Sequence, residues 1–220
     1  MIAQRGACAV LFDLDGTFAD TAPDMAAALN KVRAAEGLAP LPLSTVRPHV
    51  SRGARGMIDV GFGFGTDHPR FSELRDEFLD VYERDVCVHS RVFDGIATVL
   101  EQLARNAMPW GIVTNKASRF ALPLLRALDM ERSAACIVCG DTTPFTKPHP
   151  APLLHAAQLI AVDPALCVYV GDDRRDIEAA IAAGMASLAA RYGYLGGDAD
   201  PESWGANAVI DTPAGILQHL

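Results

Sequence analysis

The 220-residue chain lacks the long apolar runs of a membrane protein and is poor in positive charge. No apolar run approaches the roughly 18 residues of a membrane-spanning helix, and no basic stretch followed by an apolar one marks a signal peptide at the N-terminus. Lysine and arginine total 19 against 27 aspartates and glutamates, a formal charge of -8. This deficit argues against an electrostatic surface for nucleic acid or an anionic membrane. We therefore expect a cytoplasmic protein with no nucleic-acid or membrane partner.

Cysteine is also scarce, with five residues in the chain. Four of them lie inside apolar runs: Cys8, Cys136, Cys139 and Cys167. The CxxC spacing of Cys136 and Cys139 is that of a redox or zinc pair, but the Ile-Val between them favours a strand. Alternation along a strand would place the two thiols on opposite faces. We expect buried structural thiols rather than redox or zinc chemistry.

The sequence shows no internal repeat and no low-complexity tract, so its organisation must be read from hydrophobic periodicity. Six short apolar runs predict strands, at 7–12, 109–114, 135–140, 166–171, 186–190 and 207–211. Their near-continuous apolarity is typical of a parallel sheet that is covered on both faces. Helical patterns separate several of these runs, at 118–130, 150–160 and 173–185. This alternation predicts an α/β fold with a doubly wound parallel sheet.

Residues 20–88 have a different character from the rest of the chain. Apolar residues recur there at helical spacing, as in 71–81, and no strand pattern is visible. The pattern predicts one strand, then an all-α excursion, then the remainder of the sheet. We therefore expect a core domain formed by 1–19 and 89–220, with a helical cap at 20–88.

Two aspartates, Asp13 and Asp15, follow the first predicted strand. Their i, i+2 spacing turns both carboxylates the same way, at the strand end where open α/β sheets bind ligands. Gly16 permits a tight turn whose N–H groups face an anion, so Gly16 and Thr17 are candidates for substrate binding. The pair suits phosphate ester hydrolysis, with Asp13 attacking phosphorus and a protonated Asp15 serving the leaving oxygen. The alternative is an exposed acidic turn.

Further polar residues follow two other predicted strands. The Thr114 hydroxyl could bind the transferring phosphoryl group, and Asn115 could orient the nucleophile. Lys147 lies between a strand and a helix, in a loop that Pro148 and Pro150 stiffen, so the lysine would be aimed rather than mobile. Taken alone, this loop could equally carry an ordinary exposed lysine.

Three more aspartates follow the strand at 166–171. An acidic cluster at the mouth of a sheet suits a hard cation, and Mg²⁺ takes oxygen ligands. Asp172 and Asp176 could approach one ion together with the Asp13 carboxylate and the Asp15 carbonyl oxygen. Asp173 is placed to cap the following helix, and helix capping alone is the alternative for the whole stretch. All of these sites fall at strand ends on one predicted edge of the sheet, which favours a shared site.

These motifs together resemble those of a known family. In order and spacing they resemble the four motifs of the haloacid dehalogenase superfamily of phosphohydrolases. The matching parts of this chain are DLDGT at 13–17, Thr114, Lys147 with its following proline, and GDDRRD at 171–176. The resemblance covers essentially the whole chain. It implies a Rossmann-like core with a helical cap inserted after the first motif.

The resemblance also implies roles for single residues. Asp13 would be the nucleophile, Asp15 the general acid and base, and Thr114 and Lys147 would bind and neutralise the phosphoryl group. Magnesium would be held by Asp13, Asp15 and Asp172, with support from Asp176. Dehalogenases proper lack the second aspartate of the first motif, so Asp15 implies phosphatase chemistry.

Two groups within the superfamily are similar to this chain. The FDLDGTFADTAPD stretch resembles the phosphoglycolate phosphatases, whereas SRGARGMI at 51–58 and RYGY at 191–194 are similar to bacterial N-acetylmuramic acid 6-phosphate phosphatases of cell-wall recycling. Arg52 and Arg55 of the cap could bind a leaving-group carboxylate, or they could be solvated surface cations. Phe18 and Arg52 depart from the usual residues, and both are expected near the substrate route.

The expected partner is a small phosphorylated metabolite, bound by a monomer or a homodimer. A phosphomutase of the same superfamily is the alternative enzyme, since it would use the same aspartyl-phosphate. A catalytically silent regulatory module is a third hypothesis, but it predicts a broken motif, and each motif is complete.

Overall fold

The computed structural model describes residues 6–197 and 200–220. Residues 1–5 and 198–199 of the predicted core domain therefore lie outside the described residues. The strands are β1 (Ala9–Phe12), β2 (Ala19–Asp20), β3 (Arg91–Val92), β4 (Trp110–Val113), β5 (Cys136–Val138), β6 (Cys167–Gly171), β7 (Ala186–Ala190) and β8 (Ala208–Ile210). The α-helices are α1 (Ala22–Ala35), α2 (Leu43–Val46), α3 (Gly53–Phe62), α4 (Phe71–Arg84), α5 (Ile96–Arg105), α6 (Ser118–Ala127), α7 (Ala151–Leu159) and α8 (Arg174–Ala182).

Six strands form one parallel sheet in the order β5-β4-β1-β6-β7-β8. Each of them lies within a run that the sequence predicts as a strand, and the three predicted helices correspond to α6, α7 and α8. The α/β fold class with a Rossmann-like doubly wound sheet is therefore confirmed. None of the helices in the described ranges is both long and apolar enough to cross a membrane.

The position of β1 in the middle of the sheet, between β4 and β6, explains why its sequence is apolar without alternation. Val10 and Phe12 belong to one buried cluster with Leu124, whereas Ala9 and Leu11 belong to another with Leu153 and Ala180. Both faces of the strand are covered by helices, so every side chain in it is buried. The chain can become polar only where the strand ends, and this places Asp13 at the carboxyl edge of the sheet.

Helices α1 to α4, residues 22–84, form a helical segment with its own hydrophobic cluster. The cluster contains Leu29, Phe78 and Tyr82, and Phe120 and Tyr194 from the sheet side complete it. β2 and β3 pair as a short antiparallel ribbon where the chain enters and leaves this segment. The sequence analysis missed the ribbon because two-residue strands are too short to show alternation. Division of the chain into a core and a cap stays a prediction.

Two single-residue expectations are wrong. Phe18 is fully buried in the sheet cluster, stacked on Trp110 at 5.2 Å between ring centroids, and so does not lie on a substrate route. The turn after β1 directs it inward, because the N–H groups of Phe18 and Ala19 both donate to Leu14 O. Cys8 is exposed, since β1 begins only at Ala9, whereas the other three thiols predicted to be buried are buried.

Candidate active site

A cavity of about 340 Å³ lies at the carboxyl edge of the sheet, against the helical segment. We call it the active-site cavity. Seven of the predicted site residues line it: Asp13, Asp15, Arg52, Thr114, Asn115, Lys147 and Asp176. The strand ends therefore converge as the sequence predicts, because the carboxyl ends of neighbouring parallel strands share one edge.

Lys147 connects two of the aspartates in the cavity. Its Nζ lies 2.7 Å from Asp13 Oδ1 and 2.6 Å from Asp176 Oδ1, and all three side chains are buried. Burial raises the pKa of Asp13 to about 7, while the neighbouring Lys147 ammonium counteracts part of that rise. Lys147 is thus placed to offset negative charge at the end of β1.

Asn115 holds the main chain of Lys147. Its side-chain amide donates to Lys147 O at 3.0 Å and accepts from Lys147 N at 2.9 Å. Lys147 Nζ also donates to Tyr169 Oη at 2.8 Å, deep in the sheet. We expected Asn115 to orient the nucleophile, but its amide is used to position the lysine that contacts Asp13.

Asp13, Asp172 and Asp176 form a buried acidic group in which one oxygen from each lies within 4.8 Å of the others. Burial raises the pKa of Asp172 well above its usual range, and the Asp13 and Asp176 carboxylates raise it further. Lys147 supplies one positive charge against three carboxylates. Buried oxygen ligands with excess negative charge fit a hard cation such as Mg²⁺.

Gly16 and Thr17, which the sequence predicts to bind substrate, surround Asp172. The Thr17 hydroxyl is fully buried and donates to Asp172 Oδ1 at 2.8 Å. Gly16 has a φ of +88°, and a Cβ at this position would lie 2.2 Å from Asp172 Oδ2. Tyr194 N donates to that same oxygen at 2.7 Å. These contacts fix the Asp172 carboxylate and explain why a residue without a side chain stands at Gly16.

Lys116 is a site residue that the sequence analysis missed. Its Nζ lies 2.8 Å from Asp15 Oδ1, which also accepts from the Thr21 hydroxyl. Burial lowers the pKa of Lys116, but the Asp15 carboxylate and Tyr82 more than compensate, so the net shift is upward. Its position directly after Thr114 and Asn115, in the same polar strand end, was the available signal.

Thr114 is buried beside these lysines. Its Oγ1 accepts a hydrogen bond from Lys116 N at 3.1 Å. Among the described residues the Thr114 hydroxyl has no acceptor, so its hydrogen is free to donate to an anion in the cavity.

The two predicted cap arginines line a neighbouring pocket together, and of the two only Arg52 also lines the active-site cavity. Arg52 lines the active-site cavity and forms an ion pair with Asp59 at 2.9 Å. Arg55 does not line it and lies in a neighbouring pocket with Arg174 and Glu178. Arg55 lies almost one helical turn beyond Arg52 and faces this neighbouring pocket rather than the active-site cavity.

Comparison with known proteins agrees with this fold. An N-acetylmuramic acid 6-phosphate phosphatase of Pseudomonas aeruginosa is 42% identical, over 96% of this chain and 94% of that protein. A phosphoglycolate phosphatase of Xanthomonas campestris pv. campestris is 46% identical over 93% and 92%. A crystal structure described as a predicted phosphoglycolate phosphatase from Haemophilus somnus superposes with a TM-score of 0.85, at 25% identity, over 98% of this chain and 99% of that chain.

The parallel sheet, its acidic strand ends and these relatives define a phosphoric monoester hydrolase. The model of the haloacid dehalogenase-like hydrolase family matches residues 10–190. The chain belongs to that family.

Proposed function

We propose that the chain hydrolyses a small phosphate monoester through an aspartyl-phosphate on Asp13, with Mg²⁺ as cofactor. The observation that carries the proposal is the pairing of each aspartate after β1 with its own buried lysine, Asp13 with Lys147 and Asp15 with Lys116. One carboxylate can then attack phosphorus while the other stays beside the leaving oxygen.

In the first step an Asp13 carboxylate oxygen forms a bond to phosphorus, and the bond from phosphorus to the leaving oxygen breaks. The electron pair of that bond remains on the leaving oxygen, which takes a proton from Asp15. Lys147 and the Thr114 hydroxyl stabilise the negative charge of the transferring group.

In the second step a water oxygen attacks the phosphorus of the aspartyl-phosphate. Asp15, now a carboxylate, accepts the proton of that water, and the bond from phosphorus to Asp13 breaks. Inorganic phosphate is released, and the Asp13 carboxylate and the protonated Asp15 are restored, so the cycle balances.

Asp13, Asp172 and Asp176 are the side chains that would hold Mg²⁺, and we propose the Asp15 carbonyl oxygen as a further ligand. When bound, the ion would supply positive charge to the phosphoryl oxygens and offset the repulsion among the carboxylates. Thr17 and Tyr194 would keep Asp172 in place for this role.

For the substrate we propose N-acetylmuramic acid 6-phosphate or 2-phosphoglycolate, because relatives of 42% and 46% identity carry these names. Selectivity would then come from residues 20–88, the predicted cap, since the core residues contact only the phosphoryl group common to every substrate. A cytoplasmic location and a monomeric or homodimeric state stay predictions.

Asp13→Asn tests the proposal, because it keeps the shape of the side chain and removes the nucleophile. We expect phosphate release below about one hundredth of wild type and no trapped aspartyl-phosphate. Release would be measured with Mg²⁺ on the two substrates named above, on common sugar phosphates and on p-nitrophenyl phosphate.

Asp67→Asn is the matched control, because Asp67 is exposed and lies outside the active-site cavity. It should retain activity within about twofold of wild type. Substantial turnover by Asp13→Asn would remove Asp13 from the nucleophile role. Little net release by wild type, with dependence on a sugar bisphosphate, would indicate a phosphomutase instead.

A further inference from the structure

Two buried hydroxyl groups in the active-site cavity have no hydrogen-bond partner among the described residues. They are Ser51 Oγ, in the 3₁₀ segment Arg47–Arg52, and Tyr82 Oη, on α4. Both residues line the cavity, on the side of the helical segment. A buried hydroxyl without a partner costs about 1–3 kcal/mol, so a bound molecule that pairs with these groups would recover that cost.

Tyr82 keeps its hydroxyl hydrogen available. Burial raises the pKa of Tyr82 to about 12, so the group is protonated at neutral pH. The Lys116 ammonium lies over the ring, 4.8 Å from its centroid, and lowers the pKa of the hydroxyl by less than burial raises it. The ring is also stacked on Phe78, at 6.1 Å between centroids.

The cations of the cavity are already paired. Among the described residues, each lysine or arginine that lines it forms an ion pair with an aspartate: Arg52 with Asp59, Lys116 with Asp15, Lys147 with Asp13, and Arg175 with Asp173. A small leaving group whose only recognition element is a carboxylate would have to break one of these pairs. Uncharged polar groups can instead use the two free hydroxyls.

The remaining wall beside these hydroxyls is apolar. It is formed by Met25, Val50, Phe78, Leu79 and Phe120. An apolar wall with two hydroxyl groups complements a leaving group that carries an amide or hydroxyl next to hydrocarbon. An acylated amino sugar has this character, whereas a phosphorylated two-carbon acid has neither the size nor the apolar surface.

We propose that Ser51 and Tyr82 form a leaving-group subsite that binds the uncharged polar groups of an N-acylated sugar phosphate and favours it over a phosphorylated two-carbon acid. The inference rests on the phosphatase function proposed above and assigns its specificity to two side chains. Both residues belong to the helical segment and not to the strand ends that carry Asp13, Thr114 and Lys147, so each is placed to act on the choice of substrate.

Tyr82→Phe and Ser51→Ala test the subsite, because each removes one hydroxyl and little else. The readout is the ratio of kcat/KM for N-acetylmuramic acid 6-phosphate to kcat/KM for 2-phosphoglycolate. We expect each variant to lower this ratio about tenfold, chiefly through KM of the acylated substrate. The melting temperature should stay equal to wild type or rise, because an unpaired buried hydroxyl has been removed.

Tyr192→Phe is the matched control, since the Tyr192 hydroxyl donates to Thr17 O and does not line the cavity. It should leave the ratio within about twofold. A ratio unchanged in Tyr82→Phe, or an equal loss on both substrates with a lower melting temperature, would overturn the subsite.

The failure of this inference is distinguishable from that of the proposed function. If wild type releases phosphate from 2-phosphoglycolate and not from the acylated sugar phosphate, the subsite is wrong and the phosphatase stands. If wild type releases phosphate from no monoester, p-nitrophenyl phosphate included, the proposed function itself is wrong.

Discussion

Asp13 and Asp15 are separated by a single residue, yet each carboxylate has its own lysine. Lys147 contacts Asp13 and Lys116 contacts Asp15, at 2.7 and 2.8 Å. The repulsion expected between two adjacent acids is therefore offset by two separate cations rather than by one.

Asp172 differs from Asp13 and Asp15, because no lysine or arginine among the described residues forms an ion pair with it. It is fully buried, and within the described part of the chain it accepts only from the Thr17 hydroxyl and from Tyr194 N. Its raised pKa means that the folded protein binds a proton more tightly there than the unfolded chain does. Without a metal, this carboxyl destabilises the fold increasingly as pH rises above the ordinary aspartate pKa of about 3.9.

We therefore predict that Asp172→Asn raises the melting temperature of the metal-free protein at pH 7. The gain should be at least about 2–4 °C, the shift expected for 1 kcal/mol in a chain of this size. It should vanish below about pH 3, where both folded and unfolded states of wild type hold the proton. Thermal scans with a chelator across this pH range measure it.

The same scans with Mg²⁺ complete the test. Magnesium should raise the melting temperature of wild type and have much less effect on the variant, because a ligand stabilises only the state that binds it. A variant less stable than wild type at pH 7 without metal would contradict the prediction.

At the scale of elements, helix α8 carries Asp176 into the site through the way it begins. Asp173 is its N-cap and accepts from Arg175 N, while Asp176 accepts from Asp173 N in a capping box. The other oxygen of Asp176 contacts Lys147. The start of this helix is therefore also part of the active site, and its cap sets the position of an acid in that site.

Asp173→Ala should lower the melting temperature by about 2–4 °C, because loss of an N-cap costs about 1 kcal/mol. It should also reduce kcat, since Asp176 is then held less firmly. Asp173→Asn is the control that retains a capping oxygen, and it should recover most of the stability. Equal melting temperatures for the two variants would show that the cap has no such role.

At the scale of the whole molecule, Tyr194 connects the acidic site with the entrance to the helical segment. Its backbone N–H holds Asp172, while its hydroxyl accepts from Thr21 N and Ala22 N and donates to Asp20 Oδ1. Arg175 makes a second connection, donating from α8 to Ser51 O at 2.7 Å. Through these contacts the position of the helical segment depends on the same residues that shape the site.

Tyr194→Phe removes three of these hydrogen bonds and leaves two buried backbone N–H groups unpaired. We expect a loss of about 2–4 kcal/mol, seen as a fall in melting temperature of roughly 5–15 °C. KM should rise as well, because the helical segment that lines the cavity is less firmly held. Tyr192→Phe, which removes one hydroxyl bond in the sheet region, should cost less than half as much.

Much of this architecture was predictable from the sequence, and the exceptions are informative. The six short apolar runs predict the strands of the parallel sheet correctly because burial on both faces leaves a continuous signal. The β2–β3 ribbon was missed because two-residue strands leave none. Phe18 was misplaced because a turn, not a periodic element, determines its direction.

The active site likewise has features that were predictable from the sequence and features that were not. The convergence of Asp13, Thr114, Lys147 and Asp176 was predictable, since parallel strand ends share an edge. The roles of Asn115 and Thr17 were not, because each binds a neighbouring site residue rather than open space. Lys116 directly follows Thr114 and Asn115 in the chain, but nothing local shows that it reaches Asp15.

The sequence by itself determined the parallel sheet, the acidic and basic strand ends and hence the class of chemistry, because periodicity and motif spacing are properties of chain neighbours. Only the tertiary structure decided which lysine pairs with which aspartate, because Lys147 is 134 residues from Asp13 in the chain and Lys116 is 101 residues from Asp15. It also decided that the Ser51 and Tyr82 hydroxyls lie in one cavity. Such contacts depend on how distant elements pack, and packing sets side-chain positions that no local pattern records.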